Sequence, residues 1–133
     1  MSESVLVDTD VVSYLLKGDS RAESYSRLLD GKTLVVSFMT VAELERWALE
    51  KDWGQNRVAE MRVRLRNFVV YPFNNDLCVK WAEISADASR AGRSIDCADA
   101  WIAATALLHG IPIVTHNRRH FASVPGLSVL PLP

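Results

Sequence analysis

The apolar positions of the chain fall into short unbroken runs and into longer segments with helical spacing. Unbroken runs at residues 5–7, 34–37, 69–71 and 113–115 predict four strands, and residues 127–130 predict a fifth at the sheet edge. Segments whose apolar residues recur every three or four positions lie between these runs and predict helices. Strands that alternate with helices are typical of a parallel sheet covered on both faces. The sequence therefore predicts an α/β fold, a three-layer α/β/α sandwich around a central parallel sheet.

One predicted helix, over residues 94–110, is apolar around its whole circumference after an acidic first turn. A helix of this kind is buried on every side. Small residues such as Ala103 let neighbouring elements approach it closely, and Gly110 is well suited to end it. Asp96 and Asp99 stand in its first turn, so this central helix brings two carboxylates to its N-terminal end.

Composition and charge describe a globular protein without a general affinity for nucleic acid. The 133 residues are 49% hydrophobic and 23% charged, with a net charge of −1. This length suits one domain over residues 1–133, and binding of a polyanion requires a local basic patch. Cys78 and Cys97 lack the spacing of a zinc site or a disulfide framework. With no signal peptide and no membrane-spanning run in the sequence, we expect a cytoplasmic protein.

Several acids near the predicted strand ends have local interpretations. Asp8 or Asp10 can cap the first helix, and Asp96 can cap the central helix. Thr40 and Glu43 have the spacing of a capping box, which predicts a helix from Thr40 to about residue 51. These interpretations account for each acid alone and leave a shared role open.

Three acids together predict a common site. Asp8 ends the first strand, Glu43 follows the second, and Asp99 lies before the fourth. Ligands of parallel sheets bind outside the carboxyl ends of the strands, so these side chains should converge there. Carboxylates that lie close together repel one another unless a cation is among them. Oxygen ligands without histidine or cysteine suit Mg²⁺ or Mn²⁺.

Four stretches of the chain resemble the PIN-domain endoribonucleases, and specifically the VapC toxins of type II toxin–antitoxin pairs. They cover nearly the whole chain in the family's order and read LVDTDVVSYLLKG, SFMTVAELERWALE, RAGRSIDCADAWIAATALLHG and PIVTHNRRHFASVPGLSV. The second stretch is the least specific of the four. The resemblance implies a PIN-like α/β/α sandwich with a sheet of four to five strands, and one PIN domain over residues 1–133.

The resemblance also implies a metal-dependent nuclease. In the family, the acids matching Asp8 and Asp99 bind Mg²⁺ or Mn²⁺, and the acid matching Glu43 completes the site, often through water. The implied reaction is hydrolysis of an RNA phosphodiester to 5′-phosphate and 3′-hydroxyl ends. We expect Thr9 and Thr115 to steady the carboxylates. The implied partners are a VapB-like antitoxin and a second copy of the chain.

His120 departs from the family pattern. Many members carry a fourth acid where this chain has His120, in THNRRHF. The number of metal ions therefore stays open, and Asp96 either supplies the missing charge or caps its helix. His120 either meets a phosphate or gives a proton, or it caps a short helix before Phe121.

Basic residues near the proposed site are candidates for binding RNA. Those that flank it are Arg90, Arg93, His116, Arg118, Arg119 and His120. Of these, Arg93, Arg118, Arg119 and His120 are the candidates for binding RNA, and Asn117 is expected to orient water or substrate. The arginines between residues 57 and 66 are interpreted as a solvated helix face. Trp47 and Trp53 fit no predicted core, and they suggest an exposed aromatic patch for the antitoxin.

Two other functions fit parts of the sequence. A phosphatase of the haloacid dehalogenase class would use Asp8 as nucleophile and Asp10 as acid, with Thr115 in its second motif. That class requires a lysine near its later acids, and this chain has none after Lys80. A PIN-like protein that binds a partner without catalysis is the other alternative, and His120 favours it.

Overall fold

The central sheet of the molecule is wholly parallel. The computed structural model describes residues 3–130. Its strands are β1 (Ser4–Val7), β2 (Thr33–Ser37), β3 (Val69–Tyr71) and β4 (Ile113–Val114). They form one sheet in the order β3-β2-β1-β4. The prediction of a parallel α/β sheet is confirmed.

Helices cover both faces of this sheet. They are α1 (Thr9–Lys17), α2 (Ala22–Leu29), α3 (Phe38–Glu50), α4 (Gln55–Leu65), α5 (Asn75–Arg90) and α6 (Cys97–His109), followed by a 3₁₀ helix at Arg118–His120. One core cluster joins the sheet to α5 and α6, and a second joins it to α1, α2, α3 and α4. This is the predicted three-layer sandwich. None of the helices within residues 3–130 is both long and apolar enough to cross a membrane.

Strand β1 holds the two layers together because both of its faces are buried. Leu6 belongs to the core on the α5 and α6 side, whereas Val5 and Val7 belong to the opposite core. All three side chains are fully buried. Successive residues of a strand point to opposite faces, and complete burial of a leucine or valine contributes roughly 1.5–3 kcal/mol. The end of this strand is therefore a rigid base for the residues that follow it.

Helix α6 is the predicted central helix. Ala103, Ala104 and Ala106 are fully buried in it, while Trp101 is partly exposed and stacks on Trp81 of α5 with ring centroids 5.1 Å apart. Gly110 ends the helix in the left-handed conformation, at φ 64°, as its position in the sequence predicts.

The capping box predicted at Thr40 and Glu43 is wrong. Helix α3 begins three residues earlier, at Phe38, because Ser37 caps it. The Ser37 hydroxyl accepts a hydrogen bond from the Met39 backbone N–H at 3.1 Å. Thr40 consequently lies inside the helix, and neither Thr40 nor Glu43 is used to close its N-terminus.

The predicted fifth strand is reduced to one residue pair. Val129 forms an isolated parallel bridge with Ile113 on the outer side of β4. The Ile113 N–H donates to the Ser128 carbonyl at 2.9 Å, and the Leu130 N–H donates to the Ile113 carbonyl at 3.0 Å. The segment therefore covers the edge of the sheet without extending it as a strand.

Candidate active site

Asp8 lies at the carboxyl end of β1, where it is also the N-cap of α1. Its side chain is buried, and both carboxylate oxygens are held. Oδ1 accepts from the Thr9 N–H at 2.8 Å, and Oδ2 accepts from the Thr115 hydroxyl at 2.7 Å. Thr115 directly follows β4, the neighbour of β1 in the sheet. Two adjacent strand ends therefore fix the orientation of one buried carboxylate.

Glu43 is joined to the same region through a chain of hydroxyl groups. The Thr9 hydroxyl donates to Glu43 Oε1 at 2.7 Å, and its oxygen lies 2.9 Å from the Thr40 hydroxyl. Because Thr9 has a single hydroxyl proton and gives it to Glu43, Thr40 is the donor in the second bond. Thr40, displaced from the predicted cap, thus supports the residue that holds Glu43.

Asp99 stands in the first turn of α6 and is paired with His120. The distance from His120 Nδ1 to Asp99 Oδ2 is 3.1 Å, and the Asp99 side chain is 17% exposed. The interpretation of His120 as the cap of a short helix before Phe121 is wrong, since His120 is the last residue of the 3₁₀ helix and Asn117 precedes that helix. At the position where the family pattern has a fourth acid, this chain therefore has an imidazole beside the carboxylate of Asp99.

Asp96 occupies the N-cap position of α6 without capping it. Its side chain is exposed and makes no capping hydrogen bond, so the interpretation of this residue as a side-chain cap is wrong. It is close enough for its negative charge to act on both Asp99 and Glu43. Its contact with a metal ion stays a prediction.

Asp10 belongs to this cluster, although the nuclease hypothesis did not include it. Its carboxylate accepts hydrogen bonds from the Val11 N–H at 2.7 Å and from the Asn117 side-chain amide at 2.9 Å. Asn117 is itself positioned by its backbone N–H, which donates to the Thr115 hydroxyl at 3.0 Å. The sequence did contain a sign of this, because only one residue separates Asp10 from Asp8.

Four of these acids, Asp8, Asp10, Glu43 and Asp99, have raised pKa values. Burial raises the pKa of Asp8 well above its ordinary 3.8, and the charge of Asp10 raises it further. Burial is also the largest cause of the raised pKa of Asp10, of Glu43 and of Asp99. His120 opposes this effect at Asp99. We refer to Asp8, Asp10, Glu43 and Asp99 as the acidic edge.

The acidic edge fits a hard divalent cation in its chemistry. Its donors are carboxylate oxygens, the type that Mg²⁺ and Mn²⁺ prefer. A bound cation would oppose both the burial and the repulsion that raise the pKa values of these carboxyls. As the side chains lie, no group of three acid, histidine or cysteine residues within residues 3–130 is arranged to hold a metal ion. Their hydrogen bonds do not exclude one, because each carboxylate has about four lone pairs.

Two open clefts adjoin the acidic edge and share one wall. The first, with a volume of about 420 Å³, is lined by Asp99 together with Arg93, Arg119 and His120. The second, of about 500 Å³, follows residues 116–120. Arg119 and His120 line both clefts, so a chain of phosphates could pass from one to the other along a basic wall.

The three candidate arginines differ in how firmly they are held. The Arg118 guanidinium donates to the Leu130 carbonyl at 2.7 Å, and Arg93 donates to the Ser123 carbonyl at 3.5 Å. Arg119 makes no side-chain hydrogen bond or ion pair with the described part of the chain. Arg118 therefore anchors the end of the described chain, and Arg119 is the arginine most available to a ligand.

A third cleft lies away from the acids, between the C-terminal end of α1 and α4. It has a volume of about 650 Å³ and is lined by Leu16, Lys17, Gly18, Trp53, Arg57, Glu60, Met61 and Arg64. The Arg57 guanidinium stacks on the Trp53 ring, 4.0 Å from its centre. Burial and then the charges of Lys51 and Arg57 lower the pKa of Lys17. We call this basic, partly apolar surface the Trp53 groove.

The two tryptophans and the arginines of α4 have surroundings that explain them. Trp47 and Trp53 are partly buried and pack against the core on the α1 to α4 side, so only part of each ring is open to a partner, and the aromatic patch for the antitoxin stays a prediction. Arg62 pairs with Glu45 of α3 at 2.7 Å, and Arg64 donates to backbone carbonyls at the end of α1. These arginines serve a surface helix, as its interpretation as a solvated face predicts.

Comparison with known proteins assigns the fold to a family. The model of the PIN domain matches residues 5–127. The chain belongs to the PIN-domain family. VapC proteins are among its relatives: ribonuclease VapC1 of Haemophilus influenzae is 33% identical over 125 residues, which cover 92% of each chain. VapC ribonuclease Y4jK of Sinorhizobium fredii is 31% identical and covers 95% of each chain.

Solved structures agree with this assignment. The chain resembles a VapBC-1 structure from nontypeable Haemophilus influenzae with a TM-score of 0.79 at 28% identity, covering 96% of each chain. It resembles VapBC2 of Rickettsia felis, solved with a promoter DNA fragment, with a TM-score of 0.85 at 19% identity, covering 98% of this chain and 99% of that one. The second likeness concerns the fold alone.

Proposed function

We propose that the protein is a Mg²⁺-dependent endoribonuclease toxin of a type II toxin–antitoxin pair. It hydrolyses RNA phosphodiester bonds, leaves 5′-phosphate and 3′-hydroxyl ends, and acts through one PIN domain. The observation that carries this proposal is the acidic edge of a relative of VapC ribonucleases, where three carboxylates lie near one another: Asp8 at the end of β1, Glu43 on α3 and Asp99 in the first turn of α6. Mn²⁺ is the alternative cation.

The residues of the acidic edge have distinct tasks. Asp8 and Asp99 hold the cation, and Glu43 completes the site directly or through water. A divalent cation there supplies Lewis-acid stabilisation of charge at the scissile phosphate and acidifies water. Thr115 and the Thr9 N–H keep both oxygens of Asp8 in a fixed direction.

RNA is held by the basic wall beside the acids. Arg119 reaches the phosphate chain from the wall shared by the two clefts, and Arg93 lines the cleft that contains Asp99. His120 keeps Asp99 oriented through their 3.1 Å contact. Because the whole chain carries a net charge of −1, this local patch supplies the attraction for RNA.

Cleavage of RNA by the purified protein tests the proposal. Total cellular RNA is incubated with wild-type protein in Mg²⁺, in EDTA, and with the Asp99→Asn variant in Mg²⁺. We expect discrete products with 5′-phosphate ends in the first reaction alone. Asp87→Asn is the matched control, because Asp87 is an exposed acid on α5 paired with Arg90. Products that persist in EDTA or in Asp99→Asn would contradict the assigned site.

A binding protein without catalysis is the second candidate, favoured by the pairing of His120 with Asp99. Absence of cleavage by folded, antitoxin-free protein in every reaction would support it. The haloacid dehalogenase alternative has no further support, since the PIN-domain model accounts for residues 5–127, including Asp8 and Asp10.

The Trp53 groove is the proposed docking site for a VapB-like antitoxin. Its partly apolar floor and its cations fit an amphipathic helix with acidic residues on its edges. The solved neighbours include VapBC complexes, which supports a partner of this kind. A second copy of the chain is the other proposed partner, and sedimentation of the purified protein tests it.

A further inference from the structure

His116 has an unusually well-defined side chain for an exposed loop residue next to the acidic edge. Its Nδ1 lies 2.7 Å from the Tyr25 hydroxyl. The Tyr14 ring meets the imidazole nearly at right angles, at 88° with centroids 5.3 Å apart. Edge-to-face contacts of this kind are a favoured aromatic geometry. Three elements, α1, α2 and the segment after β4, therefore fix one ring.

The two tyrosines that hold His116 are themselves fixed. Tyr25 is 3% exposed, within the core on the α1 to α4 side. The Arg21 guanidinium stacks 3.8 Å above the Tyr14 ring, donates to its hydroxyl at 3.0 Å, and is held by Asp19. His116 itself stays exposed. Its ring is thus oriented before any ligand arrives, which lowers the entropic cost of binding.

His116 is also placed beside the chemistry. Its backbone N–H lies close enough to Asp10, a member of the acidic edge, to oppose the burial that raises the pKa of that carboxyl. His116 lines the 500 Å³ cleft. Arg119 and His120 line the same cleft and also line the cleft over Asp99. A phosphate chain crossing the acids would carry the neighbouring nucleotide to this ring.

We infer that His116 is a stacking platform for one unpaired base of the RNA next to the scissile phosphate, with Tyr25 and Tyr14 as positioning residues. The inference rests on the proposed nuclease function and deepens it by defining the substrate as single-stranded at that nucleotide. Stacking on an aromatic ring accepts every base, so this position sets the need for an unpaired base more than its identity. A base that remains in a duplex cannot reach the ring.

Binding of a short fluorescein-labelled single-stranded RNA in EDTA, where cleavage is absent, tests the inference. We expect His116→Ala to weaken binding roughly tenfold and His116→Phe to restore it, because phenylalanine keeps a ring of similar extent. Tyr25→Phe, which removes one hydroxyl, should lie between them. His109→Ala is the matched control. The His109 ring also contacts a tyrosine, Tyr71, with ring centroids 4.0 Å apart, but His109 lines neither cleft.

Kinetics in Mg²⁺ separate this inference from the proposed function. We expect His116→Ala to raise KM for the single-stranded RNA roughly tenfold with little change in kcat. With a duplex form of the same RNA, we expect the variant and the wild type to have the same KM. If wild-type protein cleaves RNA while His116→Ala binds it equally well, the inference is wrong and the nuclease proposal stands. If His116→Phe binds as poorly as His116→Ala, stacking is also excluded. Failure of wild-type cleavage overturns the proposed function instead.

Discussion

The acidic edge and the Trp53 groove are built in opposite ways. The acidic edge gathers buried and half-buried carboxylates from residues 8 to 99, and burial together with neighbouring acids raises their pKa values. The groove is lined by residues 16–64, and two of its cations have partners within the chain: Arg57 lies over the Trp53 ring, and Arg64 donates to a backbone carbonyl. The acidic edge thus groups like charges, whereas the groove combines cations with an aromatic ring and apolar side chains.

The difference teaches which property each surface contributes. Carboxylates that lie close together repel one another, which lowers the free energy of unfolding and favours binding of a cation. The acidic edge is therefore a site of low stability and of potential reactivity. A groove of partly buried aromatic rings with a basic margin costs little by itself and gains by covering apolar area. We therefore expect substitutions in the two regions to separate catalysis from recognition.

The largest expected effect is on catalysis at the acidic edge. Asp8→Asn should lower RNA cleavage at least about a hundredfold, because it removes a charge that holds the cation, and should leave antitoxin binding unchanged. The amide oxygen still accepts the hydrogen bond from Thr9, so the fold is kept. Cleavage of labelled RNA and titration with antitoxin measure the two properties. Normal cleavage by Asp8→Asn in Mg²⁺ would show that the assignment is wrong.

The next effect should appear at the Trp53 groove and leave catalysis intact. The double variant Trp53→Ala, Arg57→Ala should weaken antitoxin binding about tenfold or more, while RNA cleavage without antitoxin keeps its wild-type rate. Calorimetric titration with the antitoxin measures the affinity. Leu49→Ala is the control, since Leu49 is 81% exposed on α3 and does not line the groove. Equal antitoxin affinity in the double variant and this control would place the docking site elsewhere.

A smaller effect concerns the support of Asp8. Thr115→Val removes the hydroxyl that donates to the buried carboxylate and should lower the free energy of unfolding by about 1–3 kcal/mol. Thr105→Val is the matched control, because the Thr105 hydroxyl is equally buried but donates to the neutral Trp101 carbonyl. Urea denaturation of both variants measures the difference. A smaller loss in Thr115→Val than in Thr105→Val would contradict the role given to Thr115.

The most gradual effect is a dependence of stability on pH. The raised pKa values of Asp8, Asp10, Glu43 and Asp99 mean that the folded protein keeps protons that the unfolded chain has lost. Their contribution to stability is therefore present below the ordinary carboxyl pKa and is lost as pH rises through the raised values.

Thermal unfolding in EDTA from about pH 5 to about pH 8 measures this slope, which should be negative and should flatten in Asp8→Asn. Asp19 does not interfere, because Arg21 lowers its pKa below the ordinary 3.8 and its effect falls at more acidic pH. Parallel slopes for wild type and variant would show that Asp8 titrates normally.

The positions of Asp8 and Asp99 could be predicted because they depend on strand ends and on a helix first turn. The start of α3 could not, since Ser37 and Thr40 are both good caps three residues apart. In the structure Ser37 is the cap, and the Thr40 hydroxyl is instead hydrogen-bonded to the hydroxyl of Thr9, 31 residues earlier in the chain. Local patterns do not contain a contact between residues so far apart in the chain.

The same limit explains the residues that sequence reasoning assigned differently or omitted. Asp10 lies two positions after Asp8, but its contact with Asn117 after β4 is not contained in the local pattern. His116 flanks the site in the sequence, but the tyrosines of α1 and α2 that hold its ring lie far from it in the chain. The predicted fifth strand has the right apolar residues, but within the described residues Val129 alone pairs with β4, and the Arg118 guanidinium donates to the neighbouring Leu130 carbonyl.

The parallel order of the sheet also has a consequence for synthesis of the protein. Chains emerge from the ribosome N-terminus first, and folding follows that direction. The residues that line the Trp53 groove all precede Leu65, whereas the acidic edge needs Asp99 and the Thr115 hydroxyl that holds Asp8. A nascent chain thus carries every residue of the groove well before it carries Asp99 and Thr115, on which the acidic edge depends.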